Sequence, residues 1–319
     1  MPDGRYCPGI RRCSIGHGQP LAQPLKIYTM SHSQLARAAP VIFLLLWSGG
    51  FTVAKIGIHD ADPLTLLSLR YFCVLLLLLP FLFVLKPAMP TSSNQWIHLV
   101  LVGFLIQVVY FGTAWVAFSL GGSAGAVALI TSLQPILVAL AMPKLSQEKV
   151  SRIKWLGLLL GLCGTTMVIV GNSPVQAVTI QVVLFSGAAL LAITIATILE
   201  KLNGQDHHPL TSNTVQYMVG FLCTLPLAIL FEPMNVNVTL PFLLALAYLV
   251  ICNSILAISL LLMMIRRGEA TKVSALFFLV PPVSAFIAWL ILDEKMTTMA
   301  WIGMAVAASG VWLVSRKPG

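Results

Sequence analysis

Residues 63–87 read PLTLLSLRYFCVLLLLLPFLFVLKP, and residues 209–233 read PLTSNTVQYMVGFLCTLPLAILFEP. Both stretches open on Pro-Leu-Thr, place a tyrosine at Tyr71 and Tyr217, a Leu-Pro step at Pro80 and Pro226, and a proline at Pro87 and Pro233, all at one shift of 146 positions. Each is an apolar run long enough to cross a bilayer as a helix, which takes roughly 17 to 25 residues. Upstream, the same shift carries Lys55 onto Lys201 and Asp60 onto Asp206. Downstream it carries Gly122 onto Gly268, Pro135 onto Pro281, Glu148 onto Glu294, and Trp155, Gly157 and Gly164 onto Trp301, Gly303 and Gly310. A register held without a gap over that length is an internal duplication.

The whole chain fits a membrane setting. It is 58% hydrophobic and 9% charged, with a mean hydropathy of +0.92, whereas about a quarter of residues are charged in soluble domains. The formal charge of +9 sits in short loops between apolar runs and makes no basic face, so no nucleic-acid partner is expected. Cys73, Cys163, Cys223 and Cys252 lie in apolar runs, and no disulfide, zinc or cofactor pattern is present. Residues 1–37 are set apart. Residues 1–29 are polar, rich in Gly, Pro and Arg, and lack the apolar stretch of a signal peptide. We expect either a disordered extension or an over-long start, with Met30 as the alternative first residue.

Ten candidate spans follow, at about 38–58, 63–85, 96–119, 124–143 and 154–171, then 180–200, 209–231, 240–265, 270–291 and 298–315. The expected fold is therefore an all-α integral membrane protein of ten transmembrane helices. It divides into a first five-helix repeat over 38–171 and a second over 180–315. Copies with an odd number of spans must be inverted relative to each other, an architecture many secondary transporters use for alternating access. Lys144, Lys149, Arg152, Lys154, Arg266, Arg267, Lys272, Arg316 and Lys317 all fall on the face of the N-terminus. The loops 59–62, 120–123, 172–179 and 232–239 hold no Lys or Arg, and Lys295 alone breaks the pattern. The positive-inside rule places both termini in the cytoplasm.

The order of these features resembles the drug/metabolite transporter superfamily, in its EamA-type ten-helix branch. The resemblance rests on Trp47-Ser48-Gly49-Gly50-Phe51 in the first span, Arg70-Tyr71 in the second, the apolar helix with Pro135, then Glu148 and a Gly157-rich fifth span. The order recurs through Pro281, Glu294 and Gly303. Gln147 stands where many members have Gly, and Trp47 maps onto Ile193, so the second copy lacks the Trp-Gly stretch. The resemblance implies a central cavity enclosed by spans one to four and six to nine, with the fifth and tenth outside. It also implies transport of small metabolites, amino acids or drugs, with export the common bacterial role.

Arg70 is the single most informative residue, because a charged side chain well inside a span costs about 2.5–3.5 kcal/mol on insertion scales. Two readings stand: a guanidinium that binds a substrate carboxylate or phosphate, or a structural anchor that satisfies helix carbonyls or snorkels. Its counterpart is Gln216, so the charge is not part of the duplicated scaffold. Trp47, Ser48, Tyr71, Gln107, Tyr110, Gln134, Tyr217 and Asn253 add aromatic and polar groups inside spans. These suit either helix-to-helix hydrogen bonds or a moderately polar, aromatic-lined cavity. Lys55 and Lys201 read as interface anchors or as gates at the cavity mouth, and Pro135 and Pro281 as kinks that serve as hinges or as static shape. Small residues three or four apart, such as Gly157, Gly161 and Gly164, fit either internal packing or a homodimer seam.

Every Asp and Glu falls at a helix end or in a loop, so the usual intramembrane proton or sodium carrier is missing. No catalytic constellation or phosphate-binding loop is found. The expectation is a non-enzymatic, multi-pass protein of the cell inner membrane that moves a small-molecule substrate. A receptor or scaffold and an intramembrane enzyme are the alternatives.

Overall fold

The computed structural model describes residues 32–122, 124–146, 149–172, 179–203, 207–268, 270–292 and 296–316. The N-terminal extension with Met30, and the residues Glu148, Asp206 and Glu294, lie outside them. The described residues form ten helices long and apolar enough to span a bilayer, close to the bounds read from the sequence. They are α1 (Ala38–Asp60), α2 (Pro63–Leu85), α3 (Ser93–Ser119), α4 (Ala126–Leu145), α5 (Arg152–Gly171), α6 (Ile180–Asn203), α7 (Pro209–Phe231), α8 (Leu240–Arg267), α9 (Ala270–Ile287) and α10 (Thr298–Ser315). Pro63 and Pro209 open α2 and α7 in the first turn, where the missing N–H would have had no helical partner in any case. Gly121, at φ 88°, makes the reversal after α3.

α1 lies against α8 and α9, and α6 against α3 and α4, so each copy's first helix packs into the other copy. α2 pairs with α7. Among the described residues α5 and α10 make the most extensive pair and otherwise lie mainly against α4 and α9. Their glycines explain that pairing. A Cβ on Gly157 would sit 2.7 Å from the Gly310 carbonyl, and one on Gly303 would sit 2.7 Å from the Gly164 carbonyl. The stripe of small residues is thus used inside one chain, which decides between internal packing and a dimer seam in favour of packing.

Regular α-helix fails at matching places in the two copies. α3 turns into a π-helix over Phe104–Tyr110 and α8 over Leu249–Ala257. α4 is interrupted by a turn at 132–133 and α9 by a 3-10 segment at Leu276–Leu279. The second pair of breaks follows from the prolines. Pro135 and Pro281 cannot donate to the carbonyls four residues earlier, and the helix loosens just ahead of each. Pro282 likewise leaves the Phe278 carbonyl without its helical donor. Thr165 on α5 supplies the missing hydrogen bond at 2.7 Å.

Gly164 meets the backbone of Ala307, whereas a Cβ on Gly187 would meet nothing within 4 Å. Gly164→Val is therefore expected to cost about 1–3 kcal/mol by overpacking, and Gly187→Ala to be neutral or slightly stabilising. Thermal unfolding of the two purified variants checks the contrast.

Candidate functional site

Arg70 is fully buried at the middle of the bundle. Its Nε donates to Ser254 Oγ at 2.6 Å and its Nη2 to Asn253 Oδ1 at 2.9 Å, both on the π-helical part of α8. The guanidinium carbon lies 4.5 Å from the Phe111 ring centroid and 5.7 Å from that of Trp115, so aromatic faces replace part of its lost hydration. Nη1 has no partner, and among the described residues no carboxylate pairs with Arg70. The arginine is thus both an anchor and a source of unneutralised positive charge.

The two tyrosines next to this centre hold backbone. In an α-helix the Phe111 N–H would donate to the Gln107 carbonyl, but in the π segment it reaches Ile106 instead. Tyr71 donates its hydroxyl to the released Gln107 carbonyl at 2.6 Å. On α8 the Ile258 N–H reaches Asn253 rather than Ser254. Tyr217 donates to the Ser254 carbonyl at 2.7 Å. Their rings lie 5.6 Å apart between α2 and α7.

A small cavity opens beside Arg70, walled by Trp47, Phe51, Tyr110, Phe111 and Trp115, with Asn253 at its edge. Trp47 stacks on Tyr110 at 6.3 Å. The cavity measures about 20 Å³, room for about one water molecule. Gly50 gives Asn253 its place, since a Cβ there would run into the Asn253 amide nitrogen.

The structure therefore gathers Trp47, Tyr110 and Asn253 at the cavity, with Arg70 behind it. Ser48 is buried beside Trp47; its carbonyl accepts from Ser284 on α9 at 2.8 Å, and its hydroxyl has no partner. Gln107 and Gln216 are buried at the contact of α3 and α7, with neither amide atom partnered. Gln134 lies elsewhere, donating to Thr197 on α6 at 3.0 Å. Pro135 is buried among helices, and Pro281 is buried just after the 3-10 turn of α9. Lys55 is exposed on α1, whereas Lys201 donates from α6 to the Gly268 carbonyl at the end of α8, so the two are not equivalent.

Both ends of the bundle are fastened. At one end Asp60 accepts from Thr239 at 2.7 Å, Asp62 accepts from the Asn235 N–H at 3.2 Å, and Glu232 sits on the N-terminus of α2. At the other, basic end Glu200 on α6 is buried between His98 on α3, at 2.9 Å, and Arg266 on α8. Arg266 also donates to the His207 carbonyl at 3.2 Å and to Ser212 at 3.1 Å. Burial, and then the charge of Arg266, hold the His207 imidazole below its ordinary pKa. Sequence reasoning missed this cluster. Arg266 reads as a loop charge and Glu200 as a helix-end residue; the only signal is that their counterparts, Leu120 and Ala54, are apolar.

The EamA-like transporter family model matches residues 38–170 and 179–316. An uncharacterised transporter of Synechocystis sp. is 25% identical over 92% of this chain and 92% of its own. A protein of Salmonella typhimurium named "probable amino-acid metabolite efflux pump" is 23% identical over 86% of this chain and 92% of its own. The uncharacterised inner membrane transporter YedA of Escherichia coli is 23% identical over 85% of this chain and 87% of its own. One solved crystal structure shares the fold with a TM-score of 0.75, at 18% identity, over 89% of this chain and 98% of that one.

Removing one member of a buried ion pair strands the other, at a cost of about 3–5 kcal/mol, while replacing both by apolar groups is far milder. Glu200→Ala is expected to lower Tm strongly, and Glu200→Leu combined with Arg266→Met to recover much of the loss. A melt of both variants in detergent decides.

Proposed function

The chain belongs to the EamA-like transporter family, and from that premise we propose that it is a secondary transporter that exports small organic metabolites across the cell inner membrane. The two five-helix units, 38–171 and 180–315, are inverted repeats that rock against each other in alternating access. The observation that carries this reading is a central, aromatic-walled cavity of about 20 Å³ between two fastened ends. A cavity with room for about one water molecule admits an organic solute only if helices move. The matching breaks ahead of Pro135 and Pro281 are the places where α4 and α9 bend during that movement.

Amino acids and amphipathic compounds are the substrate class. A carboxylate would take the free Nη1 of Arg70, and Trp47, Tyr110 and Trp115 would cover an apolar side chain. The relative named as an amino-acid metabolite efflux pump supports the same class. The basic end, with Arg266, Arg267 and Arg316, faces the cytoplasm, as do both termini. YedA's inner-membrane name supports the compartment.

Purified protein in proteoliposomes, offered a metabolite mixture and read by mass spectrometry, should enrich a carboxylate-bearing solute over empty vesicles. Arg70→Ala should reduce that enrichment at least about tenfold, the loss of one charge-assisted contact of about 1.5–3 kcal/mol. If no solute is enriched, the transporter reading fails; if Arg70→Ala loses its fold instead, Arg70 is an anchor alone. A tag inserted in the 232–239 loop should be labelled from outside the cell. Labelling from the cytoplasm would reverse the orientation.

A further inference from the structure

Gln107 on α3 and Gln216 on α7 are fully buried, and their amide oxygens and nitrogens make no hydrogen bond. The two helices approach closely because each glutamine lies over a glycine of the other. A Cβ on Gly103 would sit 2.8 Å from the Gln216 Cα, and one on Gly220 would sit 2.9 Å from the Gln107 Cβ. Within each helix the glutamine and the glycine are one turn apart, so both side chains lie in the seam. The Tyr217 hydroxyl beside Gln107 gives its proton to the Ser254 carbonyl instead. A buried amide without a partner carries its full desolvation penalty, and this seam holds two.

The 146-residue shift shows what the seam lacks. It carries Arg70 onto Gln216 and Gln107 onto Asn253, so the contact of α2 with α8 is the counterpart of this one. There the bond is made, Arg70 Nη2 donating to Asn253 Oδ1 at 2.9 Å. Leu249 and Val74 stand in place of Gly103 and Gly220, and Leu249 is part of the cavity wall. One contact of the pair thus borders a cavity, and the other is drawn shut over amides that meet nothing. Along α3, Gln107 comes between His98 of the ion cluster and Tyr110 of the cavity. Along α7, Gln216 follows Ser212, which is bonded to Arg266. The seam therefore lies between the central cavity and the basic end.

We propose that the seam of Gln107 and Gln216 is an inner gate, which parts when the basic end opens and extends the central cavity toward that end. With the gate parted, water or the passing solute hydrogen-bonds the two amides; with it shut, they go without. Close packing over Gly103 and Gly220 holds the gate shut against that internal cost, which keeps the parted state within thermal reach. Leucine at both positions fills similar space with no polar group to leave unmet, so it favours the shut state. The inference rests on the transporter reading for what passes, and adds the place where the path is closed and the two side chains that keep it able to open.

The test is the rate at which a charged, membrane-impermeant maleimide labels Leu99→Cys in nanodiscs, in a full-length chain whose six natural cysteines are replaced by alanine. Leu99 is fully buried on α3 one turn before Gly103, so its thiol meets the reagent when that stretch of the seam is uncovered. Slow but complete labelling is expected, and combining Gln107→Leu with Gln216→Leu should slow it by about tenfold or more. Gln216→Met, which keeps the length of the side chain, should slow it in the same direction and serves where the double variant fails to fold. Leu99→Cys that is never labelled, or labelling that is as fast or faster with the leucines in place, overturns the gate. Labelling needs no solute. A proteoliposome experiment that enriches nothing therefore bears on the transporter reading alone, and labelling that ignores the leucines bears on the gate alone.

Discussion

A backbone carbonyl inside a bilayer has no water to turn to, so every departure from α-helix needs a donor from a neighbouring span. This protein departs at the π segments of α3 and α8 and ahead of the prolines of α4 and α9. Tyr71, Tyr217 and Thr165 provide donors to the Gln107, Ser254 and Phe278 carbonyls. Each bond contributes only about 0.5–1.5 kcal/mol net, yet an unmet buried acceptor costs more than that. The irregular stretches therefore double as fastening points: Tyr71 ties α2 to α3, Tyr217 ties α7 to α8, and Thr165 ties α5 to α9.

The buried charged groups depart from the duplicated pattern. Arg70 stands where the other copy has Gln216, and its partners Asn253 and Ser254 belong to that other copy. One guanidinium thus serves both halves at their contact. Glu232 against Lys86 is a second break in symmetry, which fills one helix N-terminus and leaves its counterpart facing a basic recess. The cluster of His98, Glu200 and Arg266 is a third, and it draws α3, α6 and α8 together at one end only. In the alternating access proposed above, opening that end would separate a buried carboxylate from its arginine, and water entering the gap would solvate both charges.

Much of this was legible in the sequence. Ten apolar runs of spanning length, an ungapped register and the turn residues between them gave the helices and their bounds. The glycines of the fifth and tenth runs signalled close packing, though not that the partner would be the same chain. Among the candidate residues, Trp47, Tyr110 and Asn253 meet at the cavity beside Arg70, while Tyr71 and Tyr217 donate to backbone carbonyls. Gln134 turned to α6, and the matched pair Lys55 and Lys201 separated into an exposed side chain and a helix-end contact.

Span number, span bounds and the family resemblance rest on hydrophobicity and local backbone chemistry, which act along the chain and are written in it residue by residue. Which polar groups face one another rests on the rotation and depth of each helix, and hydropathy is nearly blind to both. The π segments show why. Diverting one N–H from Gln107 to Ile106 changes which side chains point inward further along α3, and no composition records it. The same holds for Glu200 and Arg266, 66 positions apart, which read as unrelated charges at helix ends until packing of α6 against α8 buries them together.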